Sequence, residues 1–145
     1  MTDTDLEQLI ARLEAASVGS LELSAEIERD VVGHMVHEWP FWFRATSFDG
    51  VANSAVVPGI PYTESVEAAL ALWETPEIGR GYPRRGINLF YAVLPGGKMA
   101  WVAQAWELRD GNSVIDRVGQ GQHRIRPIAA CIAALGARAG GGIVV

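Results

Sequence analysis

The stretch Arg126-Pro127, followed by Ile128-Ala129-Ala130-Cys131-Ile132-Ala133-Ala134-Leu135, constrains this chain more than any other. Proline at a first helical position, with apolar residues then recurring at i, i+3, i+4 and i+7, predicts a helix over roughly 127–138. Its approach, His123-Arg124-Ile125-Arg126, carries three basic or potentially basic side chains and no acid. The positive end of a helix dipole disfavours such groups unless an anion sits among them. The sequence therefore points to an anion site here, with His123, Arg124 and Arg126 as candidate contacts.

Upstream, Thr4-Asp5-Leu6-Glu7 reads as a capping box, and Leu6, Leu9, Ile10, Leu13 and Ala16 follow at helical spacing, predicting a helix over 5–16. Ser20 caps a second helix, with Leu23, Ile27 and Val31 one turn apart and Gly33 after it. Trp39 to Thr46 is aromatic and β-prone, a strand with Pro40 at its start or on an edge. Residues 47–61 read as loop from the turn signals Asp49-Gly50, Asn53-Ser54 and Pro58-Gly59. A third helix opens at Tyr62-Thr63-Glu64-Ser65 with Thr63 as its cap and Val66, Ala69, Leu70 and Trp73 inward. Residues 79–86 read as a flexible basic loop, which adds Arg84 and Arg85 to the candidate contacts. Ile87–Leu94 and Met99–Leu108 then form a hairpin around Pro95-Gly96-Gly97-Lys98. Both of its faces are mostly apolar, the pattern of a sheet covered on both sides. Ser113 to Val118 predicts a short third strand, and Gly119-Gln120-Gly121 a turn into the last helix.

The expected fold is α+β: helices packed on a mainly antiparallel sheet of about three or four strands, a helix-sheet-helix sandwich. Residues 1–139 form one domain and 140–145 a flexible glycine-rich tail. The formal net charge of −5 argues against nonspecific nucleic-acid binding, and no stretch approaches the apolar length of a membrane span. With one cysteine and no leader-like opening, the expected location is the cytosol of whatever cell makes the protein. The acids crowd the first third and the arginines the later part, which suits one anion site or a homo-oligomer.

No catalytic set emerges. His34 and His37 lie one helical turn apart beside Glu38, but no further Cys/His cluster completes a metal site, so none is expected. The serines fall at caps and turns, none in Gly-x-Ser-x-Gly. Cys131 and His123 form a nucleophile–base pair only if the last helix start curls back, and the apolar neighbours of Cys131 predict burial. Gly79-x-Gly81 and Gly119-x-Gly121 lack the remainder of a dinucleotide or phosphate loop, so no cofactor is implied. Trp39, Trp42, Trp73, Trp101 and Trp106 read mostly as core; one beside an arginine pair could instead stack on a base while the arginines grip phosphate.

Three pieces in order, Leu6–Ala16 with Leu21–Ile27, Pro61–Leu72 and Arg126–Arg138, resemble the phage ABA sandwich domain, a family of small phage and prophage proteins. They cover somewhat under half of the chain. The resemblance implies helices layered on a central sheet and a phage or prophage origin; it carries no defined functional residues. Two departures stand out: Gly136 interrupts the last helix, and the Arg84-Arg85 loop lies outside the shared pattern. The expected function is then a phage-encoded, non-catalytic protein sequestering a small anionic, nucleotide-like host molecule through Arg84, Arg85, His123, Arg124 and Arg126. The alternative is a protein–protein interaction module, an inhibitor of a host defence protein or an assembly component. An enzyme acting on a phosphate-containing substrate ranks last.

Overall fold

A run of alanines with interspersed Ile, Leu and Cys makes a helix that is apolar on every side, and such a helix must be enclosed by protein. The computed structural model describes residues 3–28, 31, 35–36, 42–45, 55–58, 61–74, 84–109 and 115–140. In chain order the elements are α1 (Asp3–Ala15), α2 (Leu21–Ile27), β1 (Met35–Val36), β2 (Trp42–Ala45), β3 (Ala55–Pro58), α3 (Val66–Leu70), β4 (Arg84–Val93), β5 (Met99–Leu108), β6 (Asp116–His123) and α4 (Arg126–Gly140). The fold is α+β. Every residue of α4 from Ile128 to Leu135 is buried. One side of α4 lies on the antiparallel sheet β4-β5-β6, and the other meets α1 and α3. The short strands β1, β2 and β3 pair as a second antiparallel sheet.

Helix α1 forms as its spacing predicts, with Leu6, Leu9 and Leu13 buried; it starts at Asp3, so Thr4 lies inside it rather than capping it. Ser20 caps α2, its Oγ accepting from the Leu23 N–H at 3.2 Å. Thr63 does not cap α3; Ser65 does, accepting from the Ala68 N–H at 3.3 Å. Thr63 is instead buried against the start of α2. Its Oγ1 accepts from the Ser20 N–H at 2.9 Å and donates to the Ser20 carbonyl at 2.8 Å. Ser24 Oγ accepts from the Thr63 N–H at 3.1 Å and donates to Thr63 Oγ1 at 2.9 Å. Both hydroxyls are satisfied, as buried hydroxyls must be.

The hairpin runs where expected: β4 and β5 pair from Arg84↔Leu108 to Val93↔Met99. Its turn places Gly96 and Gly97 at φ 93° and 82°, a region closed to most side chains. Arg84, Arg85 and Gly86 belong to β4 rather than to a loop, while 79–83 lie outside the described residues. Residues 47–61 are not all loop: β3 forms because Ala55-Val56-Val57 finds a partner in β2. The strand expected over 113–118 is Asp116–His123 and runs straight through Gly119 and Gly121.

Those glycines are there for close approach. A Cβ on Gly119 would lie 2.3 Å from the Ala133 carbonyl oxygen, and one on Gly121 2.4 Å from that of Ala129 and 2.8 Å from the Ala133 nitrogen. Helix α4 thus rests on β6 backbone to backbone. Gly136 does not interrupt it; a Cβ there would find its nearest neighbour, Gly119 Cα, at 4.0 Å, an ordinary contact. The two glycine sites therefore respond to alanine with opposite signs. Gly121→Ala should cost about 3 kcal/mol or more, because backbone atoms cannot yield as a flexible side chain does. Gly136→Ala should stabilise by roughly 0.5–1 kcal/mol by restricting the unfolded chain. Urea denaturation of the two variants checks both.

Candidate functional site

The basic corner before α4 serves the protein's own backbone. His123 Nδ1 accepts from the Ile125 N–H at 2.9 Å. The ring proton therefore sits on Nε2, which donates to the Ala16 carbonyl at 2.7 Å. The Arg124 guanidinium donates to the Ser17 carbonyl at 3.0 Å. Both carbonyls lie just past the C-terminus of α1, where carbonyls lack helical partners and the dipole is negative. The cost of crowding basic groups before α4 is offset by the end of another helix. Arg126 is exposed, with its guanidinium carbon 5.2 Å from the Trp101 ring centroid.

The second basic group stands at the opposite end of the sheet. Arg85 Nε donates to Glu107 Oε2 at 2.9 Å, and Arg109 Nε donates to Oε1 at 2.6 Å. Glu107 is 2% exposed. The Arg85 guanidinium also lies 4.4 Å from the Trp73 ring centroid, and Trp73 Nε1 donates to the Trp106 carbonyl at 2.9 Å. Burial would raise the Glu107 pKa, but the bonds from Arg109 and Arg85 outweigh it and hold the carboxyl below its ordinary value.

The five expected contacts therefore do not share one surface. Arg85 pairs across β5 with Glu107, and Trp101, six positions earlier on β5, pairs with His123. That separation is about 20 Å along a strand. His123, Arg124 and Arg126 cluster at one end and Arg84 and Arg85 at the other. Within the second pair, strand alternation points Arg85 to the helix side and Arg84 to the opposite face.

That opposite face is the feature the sequence reading missed. On it, the pairs Arg84↔Leu108, Gly86↔Trp106, Asn88↔Gln104, Phe90↔Val102 and Ala92↔Ala100 form successive rows. Strand β6 adds Arg117 beside Trp106, Gln120 beside Gln104 and Gln122 beside Val102, with a register shift between Ala105 and Trp106. The Trp106 ring lies across Gly86, whose absent Cβ would sit 2.3 Å from Cζ2 and 2.6 Å from Cε2. Arg84, Arg117, Asn88, Gln120 and Gln122 are exposed, and Phe90 is 42% exposed. None of these rows contains an acid, although the whole chain carries −5. The period-two pattern Arg84, Asn88, Phe90 was available in the sequence, but matching it to Trp106 and Arg117 requires the register and the bulge.

Elsewhere the polar chemistry is internal. The Cys131 thiol donates to the Tyr62 carbonyl at 3.2 Å, and burial pushes its pKa up to about 12. Tyr62 donates to the buried Glu28, and burial followed by that bond raises its pKa. Both nitrogens of His123 are engaged with backbone, so Cys131 has no base there. Among the described residues no group of three His, Cys, Asp or Glu side chains could hold a metal, and no helix is long and apolar enough to cross a membrane. His34, His37 and Glu38 lie outside the described residues. No protein-family model, curated protein or solved structure matches the chain.

The Glu107 cluster carries a pH signature. A depressed folded-state pKa contributes stability above the ordinary carboxyl value, about 4.3, that is lost as pH falls through the folded value. Glu107→Gln should lower stability at neutral pH by about 1–3 kcal/mol. It should also flatten the loss of stability on acidification, with urea midpoints of wild type and variant converging toward low pH. Separately, native Cys131 should resist iodoacetamide and react only on unfolding. Mass spectrometry with and without urea reads this out.

Proposed function

We propose that this chain is a non-catalytic binding module whose outer sheet face takes a small anionic, nucleotide-like ligand. The observation that carries this is the Trp106 ring spread over Gly86 between Arg84 and Arg117, on rows without an acid. A base stacks on an indole with little regard to its identity, and a guanidinium fork matches a phosphate. Of the contacts expected from sequence, Arg84 is the one on this face, and Arg117 takes the place of the rest. The internal engagement of Cys131 and His123 supports binding without turnover. The resemblance to phage ABA sandwich domains, which implies a phage or prophage origin and no activity, supports only the setting of this role, the sequestering of a host molecule in phage–host conflict.

A second reading, a protein–protein interaction module, draws on the hairpin end beyond α4. There Tyr91 is 52%, Val93 66% and Met99 45% exposed, with Tyr91 against Trp101 at 5.1 Å between centroids. Binding to the native state raises stability by about 2.7 kcal/mol at a hundredfold excess over Kd, or roughly 5–10 °C in Tm for a domain of this size. A thermal-shift panel of mono- and dinucleotides should contain members giving such a rise, and Arg84→Glu should abolish it. If no nucleotide shifts the Tm at millimolar concentration, the nucleotide reading falls. A host-lysate partner lost on Tyr91→Ser would then favour the second.

A further inference from the structure

We infer that the outer face of β4-β5-β6 binds a run of unpaired nucleotides, with Trp106 and Phe90 as successive stacking positions. This rests on the reading above and deepens it from a nucleotide-like ligand to single-stranded nucleic acid. Trp106 stands opposite Gly86, and Phe90 lies four positions further along β4. That is about 13 Å of strand, too far for one base to cover both rings. Between the two aromatic rows lies Asn88↔Gln104, with Gln120 beyond it on β6. Carboxamides both donate and accept, which suits the hydrogen-bonding edges of a splayed base. The succession along the face is cation, aromatic, amide, aromatic, repeating every second residue.

Charge and shape choose among polymers. A duplex hides the base faces that Trp106 and Phe90 would contact, and a protein of net charge −5 has little to offer a phosphate backbone alone. An acidic peptide would satisfy Arg84 and Arg117 but has no use for two aromatic platforms separated by amides. An unpaired strand uses all three kinds of group. Only two exposed arginines, Arg84 and Arg117, stand on the described face. Single-strand binding loses about 0.7 in log K per log salt for each phosphate neutralised. The expected slope is therefore about −1.4.

Fluorescence anisotropy with fluorescein-labelled oligothymidylate and oligouridylate as mono-, tri- and hexanucleotides tests this on the full chain. The affinity should rise about tenfold or more from mono- to trinucleotide. Phe90→Ala should weaken the trinucleotide about fivefold or more and the mononucleotide by a smaller factor, because Trp106 remains as a stacking position. Arg117→Glu should weaken both. Trp106→Ala should abolish both, but Trp106 packs on Gly86, so its folding must be checked by circular dichroism. The exposed positions Phe90 and Arg117 keep the test decisive if that variant unfolds. Equal affinity for mono- and trinucleotide with a silent Phe90→Ala overturns this inference and leaves a single-nucleotide site standing. Binding at no length overturns both. A duplex or polyglutamate that displaces the trinucleotide as well as unlabelled strand does also overturns it, as does a salt slope several times steeper than expected.

Discussion

Where α4 crosses β6, the closest atoms are backbone atoms. The positions that meet are Gly119 and Gly121 on the strand and Ala129, Ala133, Gly136 and Ala137 on the helix. On the neighbouring strand, Ala103 and Ala105 continue the same small-residue floor, both wholly buried. Apart from Ile132, whose Cβ also faces Gly121, only backbone and methyl groups separate the layers along this line. Dense packing at such short range leaves no slack for added volume. It also sets the position of everything on the far side of α4. Leu9 and Leu13 of α1, and Ala69 with Leu72 and Trp73 around α3, complete the core against a helix whose height over the sheet is already decided.

The charges follow from that arrangement. Because α4 follows β6 after a two-residue corner, His123 and Arg124 are carried to the spot where α1 ends. There they donate to the Ala16 and Ser17 carbonyls. At the other end of the sheet, Glu107 lies low enough on the helix side to lose solvent and is held ionised by Arg85 and Arg109. Most of the basic residues a sequence reader would assign to a ligand are thus occupied within the protein. Arg84 and Arg117 differ because strand alternation and the β6 register shift set them on the face that α4 does not cover.

Local signals were legible where they act over a few residues. The helical spacing of Leu6, Leu9 and Leu13, the Ser20 cap and the Gly96-Gly97 turn are all decided by near neighbours, and all three could be read. Gly119-x-Gly121 could not, because glycine signals a turn locally while its use here depends on a helix face that arrives later in the chain. Thr63 and Ser65 are equally good caps by chemistry, and only the distant Ser20 and Ser24 separate them. Basic groups at His123–Arg126 carry an electrostatic cost that is visible locally. What offsets the cost is not, since the Ala16 carbonyl is 107 residues away in sequence from its partner His123. The outer sheet face was illegible for a related reason: its composition emerges only when three strands are aligned in register across a bulge.

That face is also a consequence of the packing. If the helix side of β5 and β6 must be Gly119, Gly121, Ala103 and Ala105 to admit α4, the bulky side chains of those strands have to go elsewhere. Trp101 sits on the helix side at the level of His123, with Arg126 of the first turn of α4 over its ring. Trp106 and, from β4, Phe90 take the side away from the helix, where neither belongs to the buried core cluster. Burial would make these aromatics structural; partial exposure beside arginines and amides makes them available. Under the middle of α4 the inner face of β5 and β6 is reduced to Ala103, Ala105, Gly119 and Gly121, and the large ring nearest to them on β5 toward Arg84, Trp106, lies outward. The close contact that builds the core therefore also supplies the stacking surface on which the proposed ligand would rest.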